Sequence, residues 1–267
     1  MEQIQISGLS KSFDSGGVRR TVLSDVDLRI AVGEVVGLVG PSGCGKSTLL
    51  NIVAGLDLAH TGSVTIQGRP IGEQLGAGFR VAYVFQEPRL LPWFTLTQNL
   101  AFVLEAGGFA RSEWAGRIAT VLEAVNLAEF RDFYPAQLSG GMQQRAAIAR
   151  AFCIDPDILL LDEPFSALDE LTARTLRQSL LALWERFRTT VVFVSHNAYE
   201  AAFLADRILV MGRGAITQEI DLRGTPRPRS YDDTAVFEAS KQVIHCLERQ
   251  AGKDVAATSP SPTPRKP

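Results

Sequence analysis

The chain contains 267 residues, of which 46% are hydrophobic and 21% are charged. This composition is typical of a globular protein and excludes a collagen-like or an intrinsically disordered chain. At about 150 residues per domain, the length allows one large domain or two domains. The net charge of -2 gives no overall attraction to nucleic acid, so we expect no nucleic-acid partner.

The three cysteines, Cys44, Cys153 and Cys246, are far apart and form no Cys-x-x-Cys pair. This spacing argues against a disulfide framework and against a zinc site, and it is typical of a protein of the reducing cytosol. The first residues lack the features of a signal peptide, and no segment has the ~20 apolar residues of a transmembrane helix. If the protein works at a membrane, another subunit must cross it.

The spacing of apolar residues predicts the secondary structure in chain order. Strand patterns occupy residues 3–7, 22–30, 34–39, 62–85, 158–161 and 191–194. Helical patterns occupy residues 49–56, 97–153 and 170–187. The first two strands alternate with a period of two, which predicts an antiparallel hairpin, and the later alternation of strand and helix predicts a parallel sheet.

The same patterns predict how the chain is divided. We expect an α/β core at residues 1–86 and 154–225 that carries a helical insertion at 87–153, in a domain that ends near residue 229. The remainder, residues 230–267, is expected to contain one amphipathic helix at 230–249. The Pro-rich and Ser-rich end at 259–267 has too few apolar residues to fold and is expected to be disordered.

One glycine-rich segment lies between a predicted buried strand and a predicted helix. It consists of Gly40, Pro41, Ser42, Gly43, Cys44, Gly45, Lys46 and Ser47. This order matches the G-x-x-x-x-G-K-[ST] motif, in which successive backbone N–H groups and a helix N-terminus bind phosphate. We expect Lys46 to reach the terminal phosphates of a nucleotide and Ser47 to offer its hydroxyl to Mg²⁺. The alternative, a chance glycine-rich turn, is disfavoured by the strand and the helix on either side.

Two adjacent acids, Asp162 and Glu163, follow the apolar run at 158–161. Ligands bind at the carboxyl edge of a parallel sheet, where these acids are expected to lie. We expect Asp162 to hold Mg²⁺ through water and Glu163 to orient and deprotonate an attacking water. Alone, the pair is equally consistent with solvated acids at an ordinary strand end, but the phosphate-binding motif favours the catalytic interpretation.

A second glycine-rich turn contains Ser139, Gly140 and Gly141 and opens a helical stretch. Its N–H groups are suited to an anion, whereas local physics favours Ser139 as an ordinary helix cap. The spacing leaves both interpretations open.

The motifs occur in an order that resembles the ATPase subunit of an ABC transporter, from about residue 3 to about residue 225. We name them the phosphate loop, the loop glutamine, the signature, the acidic strand end, the dimer loop and the switch histidine. They are, in the same order, Gly40 to Thr48, Gln86, Leu138 to Gly141, Asp162 and Glu163, Ser166 to Asp169, and His196. The resemblance implies a P-loop α/β fold with a mixed sheet core, an N-terminal antiparallel β subdomain and an inserted α-helical subdomain.

The resemblance also implies a mechanism with ATP and Mg²⁺ as ligands. Phe13 would stack on adenine, Gln86 would sense Mg²⁺ and the attacking water, and His196 would contact the γ-phosphate. Two copies would pair head to tail, so that the signature of one copy covers the ATP held by the phosphate loop of the other. Hydrolysis would then release the pair.

The residue after the switch histidine departs from the family pattern, and the phosphate loop contains a cysteine. Members of the family usually carry Asp after the switch histidine, whereas this chain has Asn197, which is still expected to cap the following helix and to preserve activity. Cys44 in the phosphate loop is expected to be structural.

The segments from Gln86 to Trp93 and 222–229 resemble those of the ATPase subunits of importers for nitrate, aliphatic sulfonates and taurine. The subunits of importers for thiamine precursors, pyrimidines or aromatic carboxylates are similar in these segments, so these substrates are alternatives. Leu90, Leu91 and Phe94, together with Trp93, are too apolar for a free surface loop. We expect them to form a groove for a helix of an integral membrane permease, although packing within the helical insertion is an alternative.

The permease interpretation places the chain peripherally on the cytoplasmic face of the inner membrane, with a substrate-binding protein as an indirect partner. The charges of Arg227 and Arg229 are expected to be solvated, with at most a minor contact to anionic lipid.

Two other functions are compatible with a phosphate loop but are disfavoured by the rest of the sequence. The first is a soluble ABC ATPase of DNA repair or translation. Such ATPases look like two tandem cassettes in one chain or like heads on long coiled coils, whereas this chain has one cassette and no heptad repeat. A non-hydrolysing regulator is disfavoured because Lys46, Asp162, Glu163 and His196 are all present.

Overall fold

An antiparallel sheet and a mainly parallel sheet form the framework of the protein. The computed structural model describes residues 2–73, 79–230 and 232–258. The antiparallel sheet has the order β2-β1-β4-β5, with β1 at Glu2–Ser15, β2 at Val18–Ala31, β4 at Thr61–Ile66 and β5 at Arg69–Pro70. In β2, Val26 and Leu28 are buried whereas Asp27 and Arg29 are exposed. The alternation therefore places one face of the hairpin on the core.

The second sheet contains the predicted parallel strands. Its order is β10-β9-β3-β8-β7-β6, and all neighbours pair in parallel except β10 with β9. The strands are β3 (Val35–Val39), β6 (Val81–Val84), β7 (Ile158–Asp162), β8 (Thr190–Ser195), β9 (Arg207–Gly212) and β10 (Ala215–Asp221). The interior strands β3 and β8 are buried along their whole length, which accounts for their continuous apolar sequence.

Three helices follow strands of the parallel sheet at its carboxyl edge. They are α1 (Lys46–Val53) after β3, α5 (Glu170–Phe187) after β7 and α6 (Ala198–Leu204) after β8. Their N-termini therefore lie at the edge where the phosphate loop, the acids and the switch histidine were predicted.

Three further helices lie in the chain between β6 and β7, within the block predicted to be helical. They are α2 (Leu96–Ala106), α3 (Arg111–Ala124) and α4 (Gly140–Cys153), with short 3₁₀ helices at Ala128–Phe130 and Pro135–Gln137. Leu100, Leu122 and Phe152 of these helices are fully buried in the same apolar cluster as Leu161 of β7. The two sheets and this helical subdomain confirm the predicted fold class.

The C-terminal helix is longer than the sequence pattern predicts. Helix α7 spans Thr234–Thr258, whereas the amphipathic pattern ends at 249. Its buried residues Val236, Ala239 and Val243 share an apolar cluster with Phe203 and Leu204 of α6. The tail at 259–267, predicted to be disordered, lies outside the described residues. No helix of the described part of the chain is both long and apolar enough to span a bilayer.

The prediction that Arg227 and Arg229 are solvated is wrong. Arg229 is 4% exposed, and its guanidinium donates to the backbone carbonyls of Ala202 (2.9 Å) and Ala205 (2.5 Å) at the end of α6 and of Leu222 (3.0 Å). Arg227 forms an ion pair of 2.9 Å with Asp206 and lies over the ring of Trp184 at 4.5 Å. The last carbonyls of a helix have no partner within the helix and attract cations, so the two arginines fix the chain after β10 to the end of α6.

We predict that Arg229→Met destabilises the protein by about 2 kcal/mol, because charge-assisted hydrogen bonds to buried carbonyls are lost. The free energy of unfolding is measured by urea titration of the full chain. Arg223→Met is the matched control, since Arg223 is exposed and pairs with the exposed Asp221, and this substitution should leave the unfolding midpoint unchanged. Equal midpoints for the two variants would contradict a structural role for Arg229.

Candidate functional site

The phosphate loop encloses the ammonium group of Lys46. Lys46 Nζ donates to the carbonyl oxygens of Gly40 (2.8 Å) and Pro41 (3.0 Å), and its side chain is buried. Gly45 caps α1 with a left-handed backbone at φ 104°. The loop therefore curves around a fixed positive charge, and the N-terminus of α1 adds its own partial positive charge.

Two glycines of the loop are required by close packing. A Cβ atom on Gly40 would lie 2.4 Å from the carbonyl oxygen of Met211 in β9. A Cβ atom on Gly45 would lie 2.7 Å from Leu23 Cδ2 in β2, and the positive φ would strain it as well. The loop is thus fixed between the two sheets.

Cys44 is buried beneath the loop, with its Sγ 3.9 Å from Lys46 Nζ. Burial raises the pKa of the Cys44 thiol, and the charge of Lys46 only partly opposes this effect. A protonated, buried thiol is unreactive, which supports the structural interpretation of this cysteine.

The acidic strand end lies beside the phosphate loop. Asp162 Oδ1 accepts a hydrogen bond from Ser47 Oγ at 3.1 Å, although the two residues are far apart in the chain. Tyr83 in β6 donates its hydroxyl to the other carboxylate oxygen of Asp162 at 3.3 Å. Burial raises the pKa of Tyr83, as does the nearby charge of Asp162, so the phenol stays protonated as a donor. Tyr83 was not predicted as a site residue, because in the sequence it is one apolar residue of a strand.

Glu163 and His196 form a close pair at the carboxyl edge of the sheet. His196 Nδ1 lies 3.4 Å from Glu163 Oε2, and the histidine side chain is 62% exposed. Glu163 has a left-handed backbone with φ 47°, and its N–H donates to Val194 of β8 at 3.2 Å. A left-handed backbone is strained at a residue other than glycine, and such strain is common at functional sites.

The loop glutamine is connected to the same group of residues. Gln86 Nε2 donates to Ser166 Oγ at 3.1 Å, and Ser166 Oγ donates to the carbonyl of Glu163 at 3.0 Å. The structure thus brings together Gln86, Asp162, Glu163 and His196, which the sequence places on three separate segments.

A cavity of 460 Å³ opens at this edge of the sheet. Its lining consists of Phe13, Arg20, Val22, Ser42, Gly43, Gly45, Lys46, Ser47, Thr48 and Glu163. Phe13 is 45% exposed and is therefore not a core residue. Its ring lies 4.8 Å from Lys11 Nζ. Arg20 was missed by the sequence reasoning, since an arginine on the exposed face of β2 carries no signal of its own.

The signature lies outside this cavity. Among the residues that the structure describes, none of Ser139, Gly140 and Gly141 is part of the cavity lining. Ser139 caps α4 by accepting a hydrogen bond from Met142 N at 3.3 Å. A Cβ atom on Gly141 would lie 2.2 Å from Thr172 Cγ2, so the start of α4 packs tightly against the start of α5. Ser139 is therefore a helix cap, as local physics favoured. The N–H groups of Gly140 and Gly141 belong to the first turn, where an α-helix supplies no carbonyl partner, so they are suited to an anion.

Asn197 caps α6, as predicted. Its Oδ1 accepts hydrogen bonds from Tyr199 N at 2.9 Å and from Glu200 N at 3.2 Å. The residue that departs from the family pattern therefore still performs the capping role.

An aromatic surface lies at the start of α2. Trp93 and Phe102 are 66% and 50% exposed, and Phe94 lies between them with ring distances of 6.4 Å and 6.2 Å. The fully buried Asn99 holds the loop in place through hydrogen bonds to the backbone of Leu91 and Phe94. A rigid loop thus presents large apolar side chains to the surface, which is unusual in the absence of a partner.

Comparison with known proteins identifies relatives over most of the chain. Residues 23–166 match the family model described as ABC transporter. An aliphatic sulfonates import ATP-binding protein of Pseudomonas savastanoi pv. phaseolicola is 47% identical over 227 residues, which cover 84% of this chain and 89% of the relative. A protein of the same description from Bacillus subtilis is 42% identical, with coverages of 90% and 92%.

A solved structure supports the same relationship. It is a dimeric ATP-binding cassette in a post-hydrolysis state with bound ADP and phosphate, and it is 34% identical to this chain with a TM-score of 0.74. The alignment covers 83% of this chain and 99% of the solved chain.

Proposed function

The chain belongs to the ABC transporter family, and we propose that it is the ATP-hydrolysing subunit that powers an importer of small anions. The sequence favours nitrate, an aliphatic sulfonate, taurine or a similar small anion as the substrate. The names of the relatives from Pseudomonas and Bacillus favour aliphatic sulfonates. The observation that carries the proposal is the cavity lined by the phosphate loop and by Glu163, with His196 beside Glu163.

ATP binding is assigned to the phosphate loop and to Phe13. The N–H groups of the loop and the N-terminus of α1 bind the phosphates, and the exposed ring of Phe13 stacks on adenine. Lys46 exchanges its hydrogen bonds to the carbonyls of Gly40 and Pro41 for the terminal phosphates. Arg20, on the wall of the cavity, adds a second positive charge beside the nucleotide.

Mg²⁺ is assigned to Ser47, Asp162 and Gln86. A hydroxyl, a carboxylate and an amide supply the oxygen ligands that this ion requires, and Ser47 and Asp162 already lie within hydrogen-bonding distance. Bound there, Mg²⁺ neutralises the charge that develops on the phosphates. Tyr83 holds Asp162 in its orientation.

Hydrolysis is assigned to Glu163 and His196. Glu163 orients a water and accepts its proton as the oxygen attacks the γ-phosphorus and ADP leaves, a role worth about 10²–10⁴ in rate. His196 contacts the γ-phosphate, and its position beside Glu163 keeps both groups at the reacting end of the nucleotide. Ser166 links the Gln86 side chain to the backbone carbonyl of Glu163 through two hydrogen bonds. A shift of the Glu163 backbone would therefore also move Gln86.

The active form proposed is a head-to-tail homodimer in which each ATP lies between one copy's phosphate loop and the other copy's signature. The location of Ser139 outside the cavity of its own chain supports this arrangement. The related cassette solved with ADP and phosphate is itself dimeric.

The membrane partner proposed is an integral permease that receives the aromatic surface around Trp93. The chain would then lie peripherally on the cytoplasmic face of the inner membrane, and a substrate-binding protein would select the cargo. Helix α4 contacts the segment that leads from the ATP site to this surface, because Gln144 donates to the carbonyl of Phe85 at 3.2 Å, directly before Gln86.

We predict that Glu163→Gln lowers ATP turnover by at least about 10²-fold and leaves an ATP-bound dimer that is stable in size-exclusion chromatography. The amide cannot accept the proton, whereas the nucleotide-binding groups are unchanged. The exposed Glu129 provides the control Glu129→Gln, which should turn over like the wild type. Turnover close to wild type in Glu163→Gln would remove this residue from the role of base.

We predict that Ser139→Arg and Lys46→Ala chains, each inactive alone, regain ATP turnover when mixed. A mixed dimer has one site with an intact phosphate loop from the first chain and an intact signature from the second. Turnover is measured as a function of mixing ratio, with both variants shown to be folded by urea titration. A mixture as inactive as its components would contradict the shared site.

We predict that tagged protein purified from detergent-solubilised native membranes brings with it an integral membrane subunit, identified by mass spectrometry. Trp93→Ala and Phe102→Ala should reduce the recovery of that subunit, since they remove the exposed rings of the proposed interface. Phe237→Ala in α7 removes an equally exposed ring elsewhere and is the control. Recovery of only soluble proteins, ribosomes or DNA would contradict the transport function.

A further inference from the structure

A buried guanidinium group connects the segments that surround Glu163 and His196. The side chain of Arg177 in α5 is 1% exposed. It donates to Glu170 Oε1 at 2.6 Å and to Glu200 Oε1 at 3.2 Å, and it lies 5.9 Å from the ring of Phe165. Glu170 follows the dimer loop, Phe165 is the second residue after Glu163, and Glu200 lies in α6 just after the switch histidine.

The connection continues from Glu200 to the residues on both sides of His196. Ser195 Oγ donates to Glu200 Oε2 at 2.6 Å, and it accepts a hydrogen bond from Asn197 N at 2.9 Å. Ser195 and Glu200 are both buried. One carboxylate therefore holds the turn that carries His196 with one oxygen and the guanidinium of Arg177 with the other.

Burial of the charged groups of Arg177 and Glu200 costs desolvation free energy, so stability alone does not account for this ion pair. Burial raises the pKa of Glu200, and the hydrogen bond from Ser195 and the charge of Arg177 oppose this shift. A buried ion pair can often be replaced by apolar side chains without loss of stability, whereas removal of one partner alone is costly. What an apolar pair cannot do is fix the Ser195 hydroxyl in one direction.

We propose that Arg177 is a positioning residue for ATP hydrolysis: through Glu200 and Ser195 it ties the dimer loop to the turn that carries His196. The tie keeps His196 Nδ1 against Glu163 Oε2. The proposal rests on the roles assigned above to Glu163 and His196, and neither Arg177 nor Glu200 touches the nucleotide cavity.

The test compares Arg177→Met, Glu200→Met and the double variant in the full chain. The steady-state kcat and KM for ATP are measured together with the urea midpoint. Each single variant is expected to be less stable, and the double variant should regain stability because no buried charge is left unpaired. Glu170 also loses its partner in the double variant, but its side chain is 69% exposed and its charge stays solvated. Its kcat should nevertheless remain at least about tenfold below wild type, with KM within about twofold, since the phosphate loop is untouched.

Return of both stability and kcat to wild-type values in the double variant would overturn the proposal and leave the ion pair a purely structural role. Arg186→Met removes an exposed arginine from the same helix and should change neither constant. If the double variant fails to fold, Ser195→Ala decides the matter, because it keeps Arg177 and Glu200 paired. A kcat reduced several-fold at unchanged KM supports the proposal, and an unchanged kcat overturns it.

The outcome is separable from that of Glu163→Gln. An active Glu163→Gln protein would contradict the assigned base, whatever Arg177 does. An inactive Glu163→Gln protein together with a fully active double variant would contradict the positioning role alone.

Discussion

Three parallel strands end at nearly the same level of the six-stranded sheet, and the positions of the phosphate loop, Glu163 and His196 depend on that register. Val39 of β3 lies opposite Ser195 of β8, and Asp162 of β7 lies opposite Val194 of β8. The residues that follow these strands, Gly40, His196 and Glu163, therefore leave the sheet side by side. A slip of one residue in either pairing would turn the site side chains to the opposite face of the sheet.

The second constraint is that cations placed inside the protein must be given oxygen partners. Lys46 takes carbonyls of its own loop, Arg229 takes carbonyls at the end of α6, and Arg177 takes carboxylates. The three sets of oxygen partners differ in whether a bound ligand can replace them. Phosphate can replace the carbonyls around Lys46 at the mouth of a cavity, whereas the guanidinium groups of Arg177 and Arg229 are buried away from that cavity, so these two arginines are fixed parts of the fold.

The sequence predicts those parts of the site whose chemistry is contained in one short segment. The phosphate loop, the acidic strand end and the capping role of Asn197 belong to this class, because strand, turn and helix signals stand next to each other there. Tyr83 and Arg20 could not be predicted, since their partners are brought to them only by sheet pairing. Arg229 was assigned to solvent for the same reason: its acceptors are the end carbonyls of α6, which no local pattern reveals. The helix α7 continues past 249 without apolar periodicity, so its end was also missed.

Helix α6 shows how one short element serves two separate purposes. It has seven residues, too few to be stable alone, and it is held at both ends by buried arginines of other segments. At its C-terminus Arg229 binds backbone carbonyls only, so it secures the helix without directing any side chain. At its N-terminus Arg177 binds a carboxylate whose other oxygen accepts from Ser195, and that bond sets the turn that bears His196. Arg229 therefore contributes to the position of the helix, and Arg177 also contributes to the orientation of the switch histidine.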